Sequence, residues 1–275
     1  MLSSEVADRV VTLAIEAGEK ILEVYNREET ARVKEKADGS PVTEADLAAH
    51  HYLEPMLRQL LGKVPVISEE GGLPDFAERS AWRRYWIIDP LDGTKEFINR
   101  TGEFTVNIAL VDDGQPVFGV VHVPLKKLTY TGRRGAGAWR ILDGRKTPIR
   151  TRRVEDEAGT IRPIDVVASR RHGTEKLDAL IKSLENHFPQ VSTKNMGSSL
   201  KLCLVAEGEA DLYPRLAPTS EWDTAAAQAV VEAAGGTVLD DQLEPLRYNQ
   251  KESILNPHFY VVGDPAWPWN RVLAP

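Results

Sequence analysis

The apolar run Trp86-Ile87-Ile88 stops at Asp89-Pro90-Leu91-Asp92-Gly93-Thr94, and no other step constrains the chain as strongly. A strand here delivers two carboxylates, three residues apart, onto a turn followed at once by a glycine and a hydroxyl. Carboxylate oxygens without histidine or cysteine suit hard cations such as Mg2+. A Gly-Thr step that opens a helix offers backbone N–H groups to an anion. Cation and phosphate together point to metal-assisted hydrolysis of a phosphate ester. The same residues also make an ordinary turn, because Asp, Pro and Gly are common turn formers. The turn alone leaves both readings open.

Further acids lie at the ends of predicted elements. Glu69 follows the apolar strand Val66-Ile67-Ser68, and strand ends are where open α/β sheets place ligands. Asp46 stands three residues after Thr43, as in a capping box opening a helix. Asp223 precedes the alanine-rich segment Thr224 to Ala234, where an acid caps a helix equally well. Gly197-Ser198-Ser199-Leu200-Lys201 opens another predicted helix and offers two hydroxyls and a lysine to phosphate; serine capping beside a solvated lysine explains it as well. Arg170, Lys194, Lys201 and Arg215 are the candidate cations for a distal anionic group. His50, His51 and His122 have no partners at ligand spacing and read as structural or surface residues.

The remaining chain reads as strands mixed with helices. Val6 to Val24 has helical spacing, and a second helix follows Pro41. Phe104–Val111 and Val117–Val123 make a hairpin around Asp112-Asp113-Gly114-Gln115-Pro116, and Leu128 to Thr131 extends that sheet. The polar stretch 150–157 marks a boundary, giving an N-terminal α+β part over 1–155 and a C-terminal α/β part over 156–275. Such a pattern indicates a layered α/β architecture, not a purely parallel sheet. With 275 residues the core can be large. A net charge of −7 argues against a nucleic-acid backbone binder. The single cysteine, Cys203, excludes an internal disulfide and reads as a buried small apolar residue. No signal peptide or membrane span is visible, so a cytoplasmic location is expected, with peripheral membrane association left open.

Asp89-Pro90-Leu91-Asp92-Gly93-Thr94, the upstream Ser68-Glu69-Glu70 and the downstream Glu221-Trp222-Asp223-Thr224-Ala225-Ala226 together resemble the Mg2+-dependent, lithium-sensitive inositol monophosphatase superfamily. Lys95-Glu96-Phe97-Ile98 and Gly102 to Leu110 look like its 3'(2'),5'-bisphosphate nucleotidase branch. The resemblance implies an αβαβα sandwich with two sub-domains, and two or three Mg2+ ions. It implies that Glu69, Asp89, the Leu91 carbonyl, Asp92 and Asp223 bind metal, with Thr94 and either Asp46 or Glu69 activating water. Glu69, Leu91, Asp92, Gly93, Thr94 and Asp223 would contact substrate, joined by Ser198, Ser199 and Lys201. The implied reaction is removal of the 3'-phosphate from adenosine 3',5'-bisphosphate, linked to sulfur assimilation, in a monomer or homodimer. An inositol or sugar monophosphatase is the alternative on the same scaffold, and a non-catalytic phosphometabolite sensor is the alternative of another class.

Overall fold

The computed structural model describes residues 2–27, 33–35, 41–168 and 175–273. Arg170, one of the candidate cations, lies outside them. The chain runs through α1 (Ser4–Tyr25), β1 (Val33–Glu35), β2 (Pro41–Thr43), α2 (Glu44–Leu60), β3 (Val66–Ser68), α3 (Phe76–Arg79), β4 (Arg84–Asp92) and α4 (Thr94–Ile98). An antiparallel meander follows: β5 (Thr105–Asp112), β6 (Gln115–Val123), β7 (Leu128–Arg133), β8 (Gly137–Leu142) and β9 (Arg145–Ile149). The rest comprises β10 (Ile164–Ala168), α5 (Glu175–Glu185), β11 (Val191–Asn195), α6 (Leu200–Ala206), β12 (Leu212–Arg215), α7 (Ala225–Ala234), β13 (Thr237–Asp240) and β14 (Phe259–Val262). Short 3-10 turns occur at Pro124–Lys126, Glu221–Asp223 and Trp269–Arg271.

Two large sheets carry the architecture. One has seven strands in sequence order from β3 to β9; only β3 and β4 pair in parallel. The other has five strands ordered β11-β10-β12-β14-β13 and is mixed. Alternation along each strand assigns its side chains to different layers. In β4, Trp86 and Ile88 pack beneath α1 and α2, whereas Tyr85 and Ile87 join a second core shared with α6, α7 and the five-stranded sheet. A third core lies on the outer face of that sheet, where Phe188, Trp267 and Trp269 meet Ile164, Val166 and Leu212. The result is five layers, αβαβα.

Helix α1 buries Val10, Leu13, Ala14, Ala17, Ile21 and Val24 along one stripe, each 3% exposed or less. Each large aliphatic side chain so placed contributes roughly 1.5–3 kcal/mol. Helix α7 lies so close to the meander that Gly119 and Gly132 have no room for a Cβ: one at Gly119 would strike the Ala226 carbonyl, and one at Gly132 would approach the Val230 Cα. The hairpin turn is the two residues Asp113-Gly114, both with positive φ (52° and 71°), the conformation that Asp-Gly favours. Strands β1, β8 and β9 and the one-turn helix α3 add to the elements expected from the sequence, and α4 is the helix expected to open at Gly93-Thr94.

Candidate active site

The acids meet where β3 and β4 end. Strand β4 pairs with β5 so that Asp89 faces Asn107 and Asp92 faces Thr105. Three steps on β4 therefore span two on β5, which is a β-bulge at Pro90-Leu91. Its effect is decisive, because residues i and i+3 of a regular strand point to opposite faces. The additional residue sends Leu91 to the α1/α2 side, where it is 1% exposed. Asp92 turns to the face of Asp89, beside Thr105 and Asn107, whose side chains are hydrogen bonded to each other.

Glu69 follows β3 and continues its ladder through its N–H to the Ile88 carbonyl at 3.2 Å. Asp223 closes the 3-10 turn before α7, where its Oδ2 accepts the Ser220 N–H at 2.9 Å. One carboxylate oxygen from each of Glu69, Asp89 and Asp223 lies within 4.8 Å of the others. Asp92 adds a fourth acid beside Asp223, with its Oδ2 accepting from the Ser199 N–H at 2.6 Å and the Thr105 hydroxyl at 3.3 Å. Burial raises the Asp89 carboxyl well above the usual carboxylate range, and the charges of Glu69, Asp92 and Asp223 add to it. Asp223 is raised too, by burial first and Asp92 second. Acids crowded this way call for a cation, and an all-oxygen donor set fits a hard divalent one.

Thr94 begins α4 immediately after Gly93, whose φ of +95° is the left-handed conformation that favours glycine. The Thr94 hydroxyl donates to Asp46 Oδ1 at 3.1 Å. It also lies 3.4 Å from the Leu91 carbonyl. Asp46 Oδ2 is occupied separately, by the Thr43 N–H at 2.7 Å and the Thr43 hydroxyl at 2.6 Å. The capping box expected for α2 is thus present, and the same carboxylate reaches the site with its other oxygen. Burial is the main reason its carboxyl is raised, against the opposing bonds from Thr43.

Beside the acids opens a cleft of about 300 Å³, lined among others by Asp92, Ser198, Lys201, Tyr213, Arg215 and Asp223. Ser199, at the N-cap of α6, makes no side-chain cap, whereas the Ser198 hydroxyl accepts the Leu200 N–H at 3.4 Å. Ser198 has φ +48°, and the Ser199 hydroxyl turns away to Asn107 Oδ1 at 3.0 Å. Lys201 is 6% exposed, not solvated, and its Nζ donates to the Ser198 carbonyl at 2.6 Å. Burial lowers its ammonium to about 8, with Asp92 opposing that and Arg215 reinforcing it. Lys194 is turned elsewhere, paired with Asp165 at 3.3 Å and bound to the Glu209 carbonyl at 2.6 Å. Lys201 and Arg215 are therefore the candidate cations that the described residues bring to the cleft.

His50 and His122 are structural here, and His51 is exposed. His50 Nδ1 is 2.9 Å from the Ser68 hydroxyl and His122 Nδ1 is 2.9 Å from that of Thr129. Cys203 is fully buried and its thiol is pushed up by burial. What sequence reasoning missed is the set of residues behind the acids: Thr105, Asn107 and Glu103, whose Oε2 accepts the Gly197 N–H at 2.9 Å. They tie the meander to the Gly197–Ser199 loop, and only the strand register could have disclosed them.

Comparison with known proteins bears on the whole chain. Residues 2–265 match the model of the inositol monophosphatase family. The 3'(2'),5'-bisphosphate nucleotidase CysQ of Escherichia coli strain K12 is 48% identical over 254 residues, covering 92% of this chain and 98% of that protein. The Haemophilus influenzae protein of the same name is 38% identical, covering 98% and 97%. Among solved structures, CysQ from Bacteroides thetaiotaomicron superposes with a TM-score of 0.80 at 42% identity, over 94% of this chain and 96% of that one.

Proposed function

The chain belongs to the inositol monophosphatase family, and from that premise we propose that it hydrolyses the 3'-phosphate of adenosine 3',5'-bisphosphate to give AMP and phosphate. The observation that carries this reading is the bulge that turns Asp89 and Asp92 to one face, beside Glu69 and Asp223 and next to a cleft that Lys201 and Arg215 help to line.

Glu69, Asp89 and the Leu91 carbonyl would hold one Mg2+, and Asp89, Asp92 and Asp223 a second. Bound there, Mg2+ makes water more acidic and offsets charge on the phosphoryl and leaving oxygens. The protein's own groups do the rest. The Thr94 hydroxyl gives its proton to the hydrogen bond with Asp46 Oδ1, so its lone pairs are left to accept from an attacking water. Asp46, whose carboxyl is raised by burial, is the natural recipient of the water's proton through Thr94. The N–H groups of Gly93 and Thr94 stand at the start of α4, where backbone donors lack intrahelical partners and can hold a phosphoryl oxygen. No protein nucleophile is needed.

The cleft supplies specificity. A bisphosphate carries a second anionic group, and Lys201 and Arg215 face it with the Ser198 hydroxyl nearby. Inositol 1-phosphate has no second phosphate to reward these cations. Phosphate release should be measured side by side on adenosine 3',5'-bisphosphate and inositol 1-phosphate, with Mg2+ and with added Li+. The reading expects strong preference for the nucleotide, inhibition by Li+, and an Arg215→Ala variant that raises KM for the nucleotide only. Preference for the inositol ester would refute it.

A further inference from the structure

Asp223 is held from behind by a buried polar brace whose centre is Arg79. This arginine ends α3 and is 0% exposed. Its Nη1 donates to Asn249 Oδ1, and its Nη2 donates to the carbonyls of Glu252 and, at 3.1 Å, Lys251. Asn249 replies through Nδ2 to the Arg79 carbonyl at 2.6 Å. On its other side, the Asn249 N–H donates to both oxygens of Glu221, at 3.0 and 2.9 Å. Glu221 is 2% exposed and opens the 3-10 turn that ends in Asp223. The turn is tied to the same loop a second time, because the Glu221 N–H donates to the Ile254 carbonyl at 2.9 Å.

The brace crosses the molecule. Arg79 lies ten residues after Glu69 and ten before Asp89, whereas Asn249 and Glu221 belong to the C-terminal half. Asp223 is the only member of the three-acid cluster from that half. Its distance from Glu69 and Asp89 therefore depends on what fixes the Glu221–Asp223 turn against β3 and β4. A fully buried guanidinium requires several acceptors, and those of the two Arg79 Nη atoms lie in residues 249–252. That requirement is what locks the loop, and through Glu221 the turn, in one place.

We propose that Arg79, acting through Asn249 and Glu221, is a positioning residue for the metal site: it sets Asp223 at the separation from Glu69 and Asp89 that a divalent cation requires. This rests on the reading that these three acids hold the metal. Residues that orient ligands from behind alter metal affinity by about 10- to 100-fold, and that is the quantity to measure.

The test is calorimetric titration of Mg2+ into the full-length protein, without nucleotide, for wild type, Asp89→Asn, Arg79→Met and Asn249→Gly. Asn249 has φ +58°, so glycine keeps the backbone and the N–H to Glu221 while removing both bonds between the Asn249 side chain and Arg79; those from Arg79 to the Lys251 and Glu252 carbonyls remain. Phe188→Leu, in the outer core, serves as a control that lowers thermal stability away from the site. We expect Arg79→Met and Asn249→Gly to bind Mg2+ about tenfold or more weakly. Their kcat should recover at high Mg2+ and their KM for nucleotide should change little, while Phe188→Leu binds Mg2+ normally. If Arg79→Met does not fold, Asn249→Gly decides alone. If Asp89→Asn loses Mg2+ binding but the folded brace variants bind as wild type does, the brace is wrong and the site stands. If Asp89→Asn binds Mg2+ like wild type, the site assignment falls and the brace with it.

Discussion

Asp89 concentrates the chemistry in one residue, because it is 1% exposed and faces three other carboxylates. Its charge opposes folding in the metal-free protein and favours it once a cation is bound. Asp89→Asn should therefore do two things. Phosphate release should fall on the order of a thousandfold, about 4 kcal/mol of transition-state stabilisation. In EDTA near pH 8 the variant should melt above wild type, since a buried like charge has gone. A variant melting below wild type in EDTA would contradict the electrostatic account. At this scale the sequence was informative: Asp46, Glu69, Asp89, Asp92, Thr94 and Asp223 were all candidates, and the fold brings them together. Acids adjoining Gly, Pro and strand ends leave a local trace. Arg79, Asn107 and Asn249 leave none, because their roles arise from partners between 28 and 173 positions away.

The bulge in β4 is the element that converts a sequence spacing into a site, and the spacing alone could not disclose it. A strand period of two would have placed Asp89 and Asp92 on opposite faces. Strands β8 and β9 were illegible for another reason. β9 is an edge strand reading Arg-Lys-Thr-Pro-Ile, solvated and without apolar alternation. Helix α3 spans four residues, too few to show a 3.6-residue period. The close seating of α7 on β6 was equally hidden, although its consequence is simple to test. Gly119→Ala forces a methyl group against the Ala226 carbonyl. It should cost about 1–3 kcal/mol in urea unfolding, or more if the backbone cannot shift. A neutral result would mean that α7 is free to move off the sheet.

The layers, taken as one cooperative unit, determine how the molecule responds to pH and metal. His122 lies in the interior between β6 and α1, and burial lowers it from 6.5 to about 4. A depressed folded pKa gives stability that is present above 6.5 and lost as pH falls through about 4, up to roughly 3 kcal/mol. The stability difference between wild type and His122→Gln, from urea curves at pH 7 and pH 4.5, should shrink accordingly. Asp89 and Asp223 act in the opposite sense. Their raised carboxyls favour the metal-free fold below the unfolded value of 3.8, and that advantage is lost as pH rises. Mg2+ should therefore raise the melting temperature more at pH 8 than at pH 5, and equal shifts would argue that the cation binds elsewhere. A layered α/β architecture was legible as strands mixed with helices, and its five layers only through the family resemblance; which helix covers which sheet was not legible, since α7 crosses to the N-terminal meander. One consequence follows from Asp46, which winds the first turn of α2 with one oxygen and aims the Thr94 hydroxyl with the other. Fraying of that turn and misdirection of the hydroxyl are a single event, so hydrogen exchange at the Ala45 amide, bonded to Thr43 at 3.2 Å, is a clock for how often the enzyme is switched off.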